Sequence, residues 1–193
     1  MEHIYKEAVS SHISVIQLLA HDAALALAVA AIGRAAAQTL KNGGKVLLCG
    51  NGGSAADCQH IAAELVGRFG KDRPPLAAIA LTVDSSAITA IGNDYGFNAI
   101  YARQVEGLGK PGDLLIGITT SGNSPNVVEA VMKAESMGLK TAVLTGANTE
   151  SKIAAIADVC VHIPSSDTPR IQEAHILIGH IICAQIEHEL FGI

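Results

Sequence analysis

Cys49-Gly50-Asn51-Gly52-Gly53-Ser54-Ala55-Ala56-Asp57-Cys58-Gln59-His60-Ile61-Ala62-Ala63-Glu64 joins the end of an apolar run to a glycine turn and then to a helical pattern. The run at 45–49 is short and flanked by Gly43-Gly44 and Gly50, which suits a strand buried on both faces. Gly52 and Gly53 permit backbone angles closed to other residues and let a ligand approach the main chain. Ser54 reads as the N-cap of the next helix, so unpaired amides would face whatever sits in the turn. On that helix His60 and Glu64 lie about 40° apart around the axis and roughly 6 Å apart along it, so both side chains address one point. A phosphate or sugar site with a metal ion or an acid–base pair follows from the segment.

Working outward, strand-like runs recur at 45–49, 76–81, 113–119, 140–145 and 158–163, separated by helical patterns at 54–67, 85–92, 98–107, 124–138, 149–157 and 169–190. Alternation at this spacing predicts an α/β fold with a parallel sheet covered by helices on both faces. The first forty residues have helical periodicity broken near His21-Asp22, and Asn42-Gly43-Gly44 ends them. They read as an arm, 1–42, on a core of 43–193, with residues 1–193 forming a single domain.

In an open parallel sheet the ligand lies beyond the carboxyl ends of the strands, so the loops that follow strands carry the information. One is the glycine turn 50–54. A second runs from Thr82 to Ser86 towards Ile91-Gly92-Asn93-Asp94-Tyr95-Gly96. The third, Thr119-Thr120-Ser121-Gly122-Asn123-Ser124-Pro125, packs four hydroxyl side chains and a glycine into a strand-to-helix turn. Hydroxyls and free amides at a helix start form a neutral cradle for phosphate, although such turns also serve only as caps. There is no GxxxxGK[ST], and the turn after the first run lacks GxGxxG spacing, which argues against a nucleotide cofactor.

Net charge is −5 with scattered basic residues, and Trp is absent, so neither a nucleic-acid footprint nor a base-stacking platform is expected. The four cysteines, at 49, 58, 160 and 183, form no CxxC pair and read as buried thiols in a reducing, cytoplasmic setting. The unbroken apolar run at 23–33 is shorter than the ~20 residues a bilayer demands. Before it lie Glu2, Glu7 and Asp22, with little of the positive charge an export signal needs, so no membrane partner is expected.

The last helical pattern opens Thr168-Pro169-Arg170 and carries Gln172, Glu173, His175, His180 and His188. Gln172 and His180 are about 80° apart and roughly 12 Å along the axis, a shared face but not a shared turn. His3, His12, His21, His162 and His188 read as surface or satisfied core histidines.

Taken together, CGNGGSAADCQHIAAEL, AIGNDYGF, ITTSGNSPNV and TPRIQEAHILIGHII closely resemble the phosphoheptose isomerases, the sedoheptulose 7-phosphate isomerase branch of the sugar-isomerase (SIS) domain family. The match runs in order through nearly the whole chain. That resemblance implies a five-stranded parallel sheet, a homotetramer with active sites at subunit interfaces, and one zinc ion per subunit. Carried over, the metal ligands fall on His60, Glu64, Gln172 and His180, and proton transfer on Glu64 and His180. Substrate contacts fall on Asn51, Gly52, Gly53, Asn93, Asp94, Thr119, Thr120, Ser121 and Ser124, with Glu64 and Gln172 shared. Thr119 stands where many relatives have serine and keeps the hydroxyl; Pro169 stands where some have aspartate, and any role of that acid does not carry over. The implied reaction turns sedoheptulose 7-phosphate into D-glycero-D-manno-heptose 7-phosphate, a precursor for heptose and lipopolysaccharide core synthesis. A non-enzymatic SIS protein that regulates replication initiation is the alternative. That branch lacks the helix glutamate and the last-helix histidine, and both are present here as Glu64 and His180. An enzyme or sensor for another sugar phosphate is a further rival, disfavoured by the ligand set.

Overall fold

Five strands, Val46–Gly50 (β1), Ala78–Ala80 (β2), Leu114–Ile118 (β3), Lys140–Thr145 (β4) and Val159–His162 (β5), pair in parallel in the order β2-β1-β3-β4-β5 in the computed structural model, which describes residues 1–193. All five residues of β1 and of β3 are buried, because helices cover both faces of the sheet. Side chains alternate between those faces: Val46 and Leu48 join one apolar core, Leu47 and Cys49 the other. Each fully buried leucine in these strands contributes about 2 kcal/mol of transfer free energy.

The helices are Glu2–His21 (α1), Ala23–Lys41 (α2), Gly53–Val66 (α3), Ser85–Tyr95 (α4), Ile100–Leu108 (α5), Pro125–Ser136 (α6) and Thr168–Phe191 (α7), with a 3-10 turn at Phe97–Ala99. The break between α1 and α2 is at Asp22, whose carboxylate accepts the Leu25 amide at 2.9 Å and so caps α2. Helices α2, α3 and α7 contribute Ile32, Ile61 and Ile178 to the larger core, while α5 and α6 contribute Val105 and Val131 to the smaller one. Of α1, only Val15 is buried.

Two expectations need correction. Residues 149–157 form a chain of turns, not a helix. Ala154 and Ile156 bond three residues back, to Ser151 at 3.1 Å and Ile153 at 3.3 Å, the Ile153 amide is drawn to the Gly122 carbonyl at 3.3 Å, and the lone four-residue bond, Ala157 to Ile153 at 3.2 Å, starts no ladder. Also, α3 starts one residue earlier than predicted. Gly52, at φ +57°, is its cap, and Ser54 is buried in the first turn, making no capping bond. Only glycine holds that backbone angle without strain, which displaces Ser54 from the role its side chain favours.

Candidate active site

The strand order reverses between β1 and β3, with β2 on one side of β1 and β4 on the far side of β3. Gly50 pairs with Ile118, so the turn after β1 and the hydroxyl loop after β3 leave the sheet side by side. A reciprocal amide pair ties them: Asn51 Nδ2 donates to Asn126 Oδ1 at 2.9 Å, and Asn126 Nδ2 donates to Asn51 Oδ1 at 2.8 Å. Gly50 keeps the crossing tight, since a Cβ there would lie 2.9 Å from the Ile118 carbonyl.

Between these loops and the start of α7 lies a cleft of about 250 Å³, walled by Asn51, Gly53, Ser54, Thr120, Thr168 and Gln172 among others. Thr120 and Thr168 also line an adjoining hollow of about 220 Å³ that takes in Ser121, Asn148 and Ser165. Thr119 Oγ1 and Ser124 Oγ are 2.9 Å apart, and Ser121 Oγ accepts the Asn123 amide at 3.2 Å. Ser124 is the cap residue of α6 and makes no side-chain capping bond, so its hydroxyl stays with the loop. Hydroxyls, amides and a helix start dominate these walls, a lining suited to a phosphorylated polyol.

His60 and Glu64 on α3 meet His180 on α7. His60 Nε2 lies 2.9 Å from His180 Nε2 and 3.3 Å from Glu64 Oε1, and the three donor atoms all fall within 4.8 Å of one another. Two imidazole nitrogens and a carboxylate oxygen facing one point form a group that could hold a metal ion. Phe69 packs against the outer side, its ring centroid 5.5 Å from that of His180. Gln172 reaches this neighbourhood indirectly. Its Nε2 donates to Asp57 Oδ1 at 2.7 Å, which leaves the amide oxygen free to ligate a metal or to accept from a substrate hydroxyl.

Asp57 was not among the predicted site residues. It is 5% exposed, and its Oδ2 has no partner. Burial pushes its carboxyl above the ordinary range, and the Gln172 hydrogen bond with the nearby His60 and His180 only partly offsets that. The spacing 57, 60, 64 places it on the same face of α3 as His60 and Glu64, a signal present in the sequence. Asn126, the partner of Asn51, carried no comparable signal.

Asn93 and Asp94 are not brought to the cleft. They lie exposed in the last turn of α4, which runs through them to Tyr95 where the sequence suggested a helix ending at 92. Asn93 Nδ2 donates to Asp94 Oδ1 at 2.8 Å. No residue of α4 is buried. Of the histidines set aside earlier, His12 pairs with Glu173 at 2.7 Å and fastens α1 to α7. His175 is fully buried, its pKa pushed down to about 4 by desolvation, and so stays neutral. The cysteines are free; burial pushes Cys49 and Cys183 up to about 12 and Cys160 to about 11, which leaves them unreactive thiols.

Residues 11–146 match the SIS domain family model. The chain is 47% identical over 191 residues to a phosphoheptose isomerase of Aneurinibacillus thermoaerophilus, spanning 99% of this chain and 96% of that one. It is 60% identical over 150 residues to a phosphoheptose isomerase of a Nitratiruptor species, spanning 78% and 80% of the two chains. Among solved structures, a phosphoheptose isomerase from Francisella tularensis superposes with a TM-score of 0.91 at 40% identity, covering 96% of this chain and 97% of that one.

Proposed function

This chain belongs to the SIS domain family, in its phosphoheptose isomerase branch, and from that premise we propose that it converts sedoheptulose 7-phosphate to D-glycero-D-manno-heptose 7-phosphate. The observation that carries the reading is the meeting of His60, Glu64 and His180 beside an uncharged, hydroxyl-lined cleft at the strand-order reversal. The product supplies heptose precursors such as those of lipopolysaccharide core, and the free thiols suit a cytoplasmic enzyme.

Ketose-to-aldose conversion moves one proton between adjacent carbons through an enediol and needs a base, an acid and a stabiliser for the developing oxyanion. Glu64 and His180 carry the proton movements. Residues 119–124 hold the phosphate, and Asn51, Gly52 and Gly53 border the sugar. His60, Glu64, Gln172 and His180 would hold one zinc ion, which supplies positive charge to the oxyanion when bound. The protein is a homotetramer in which α4 of one copy brings Asn93 and Asp94 to a neighbour's cleft. Support for this lies in the unburied α4 and in the apolar side chains Ile4, Tyr5, Val9 and Ile13 exposed on α1.

The test is incubation of purified protein with sedoheptulose 7-phosphate, with and without chelator. Aldose phosphate should form, stop forming after chelation while the fold persists, and resume on adding zinc. No aldose from zinc-loaded protein sinks the proposal, and full activity at undetectable metal removes zinc from it.

A further inference from the structure

Glu64 sits in the last turn of α3, where main-chain carbonyls run out of helical donors. Arg73 supplies them. Its Nη2 donates to the carbonyl of Glu64 itself at 2.8 Å, and its Nη1 to those of Leu65 at 2.8 Å, Pro74 at 3.1 Å and Gly67 at 3.2 Å. The third guanidinium nitrogen, Nε, donates to Glu187 Oε1 at 2.9 Å. Glu187 lies on α7, seven residues beyond His180 and so roughly 10 Å along the axis. Its two oxygens also accept the amides of Phe69 and Gly70, each at 3.0 Å, and Phe69 is the residue packed on the His180 ring.

Both side chains are almost wholly withdrawn from water, Arg73 at 1% and Glu187 at 5% exposure. A buried ion pair is seldom worth more to stability than apolar residues of the same volume, so holding α3 on α7 does not by itself call for one. Apolar contact already brings the helices together. At Gly179, next to His180, a Cβ would lie 2.6 Å from Ile61 of α3. What the charged pair adds is direction: the fork fixes the exit of α3, and the carboxylate fixes the 69–70 backbone, both relative to α7.

We infer that Arg73 and Glu187 are positioning residues for the site, locking the end of α3 against α7 so that Glu64 and His180 stay within reach of one ion and one substrate. Neither touches the cleft, and the inference rests on the metal-assisted isomerase reading above. Two variants test it: Glu187→Gln keeps shape without charge, and Arg73→Lys keeps charge without the fork. Each is measured well below its melting temperature. Zinc dissociation constants from chelator competition should rise about tenfold or more in both variants. For sedoheptulose 7-phosphate, kcat should fall by a similar factor while KM stays within about twofold. Zinc affinity within about twofold of wild type in the folded variants overturns the inference, however far their melting temperatures drop. Should Glu187→Gln fail to fold, Arg73→Lys decides alone. Because zinc affinity is read without turnover, a protein that binds zinc but does not isomerise the sugar defeats the functional reading and leaves this decision intact.

Discussion

Glu64 offers two oxygens to a crowded point, one of them 3.3 Å from His60 Nε2, and so can both help hold an ion and carry a proton. Glutamine at that position keeps the shape and a single carbonyl oxygen but cannot take a proton. Glu64→Gln should therefore fold normally and lower kcat by about 100-fold or more, the usual range for removing a general acid or base. His180→Gln should behave likewise. Near-normal turnover in folded Glu64→Gln would take Glu64 out of the proton-transfer step. The pair at 60 and 64 was visible from helical spacing alone, because four residues bring side chains onto one face. Assigning His180 and Gln172 to the same site required the family resemblance, since a spacing of eight points to one broad side of a helix and not to a partner on another. Asp57 shows the opposite failure. Its position was legible, but one hydrogen bond from Gln172 gives it its place, and no one-dimensional pattern reports that contact.

At the scale of elements, the loop from β3 into α6 gathers its hydroxyls where a strand ends and a helix begins, and the Thr119–Ser124 contact at 2.9 Å holds it closed. If this loop cradles the phosphate, Ser121→Ala combined with Ser124→Ala should raise KM about tenfold, the loss expected for one or two hydrogen bonds. An unchanged KM in folded protein would mean that the phosphate binds elsewhere. The strands were readable because apolar runs between glycines have few other fates. The segment at 149–157 was misread because its composition suits a helix, while Gly122 and Asn123 capture its amides from another loop. Asp113, just before β3, marks the other end of the sheet and accepts Lys45 N at 2.9 Å, Lys110 N at 2.8 Å and the Lys45 ammonium. Burial alone would raise its carboxyl, but Lys45 and these amides outweigh that and hold it below the usual range. A depressed folded pKa contributes stability fully above the unfolded value of about 3.9 and loses it as pH falls through the folded one. Urea midpoints should thus drop on acidification below about pH 4, and the drop should be shallower in Asp113→Asn, which starts lower at neutral pH. Parallel curves for the two proteins would deny Asp113 that role.

For the whole molecule, the apolar surface is unevenly spread. It runs along α1 and into a hollow of about 290 Å³ lined by Leu19, Leu25, Val29, Leu177 and Ile181. A monomer gains nothing by exposing it, and a second copy would cover it. Light scattering at micromolar concentration should give four times the 19.9 kDa chain mass, and a monomer would contradict both the assembly and a cleft completed by Asn93 and Asp94. Unlike these features of shape, the makeup of the cleft wall bears on the surrounding electrolyte. None of the residues lining the two adjoining hollows is a lysine or arginine, and the chain as a whole carries −5. A dianionic substrate seated there would approach against a weak repulsive field and be held by neutral dipoles with no counter-ions to displace. Between about 0.01 M and about 1 M salt the screening length shrinks from about 30 Å to about 3 Å, so KM should stay level or fall. A KM that climbs severalfold over that range would mean that a neighbouring copy presses a cationic side chain against the phosphate.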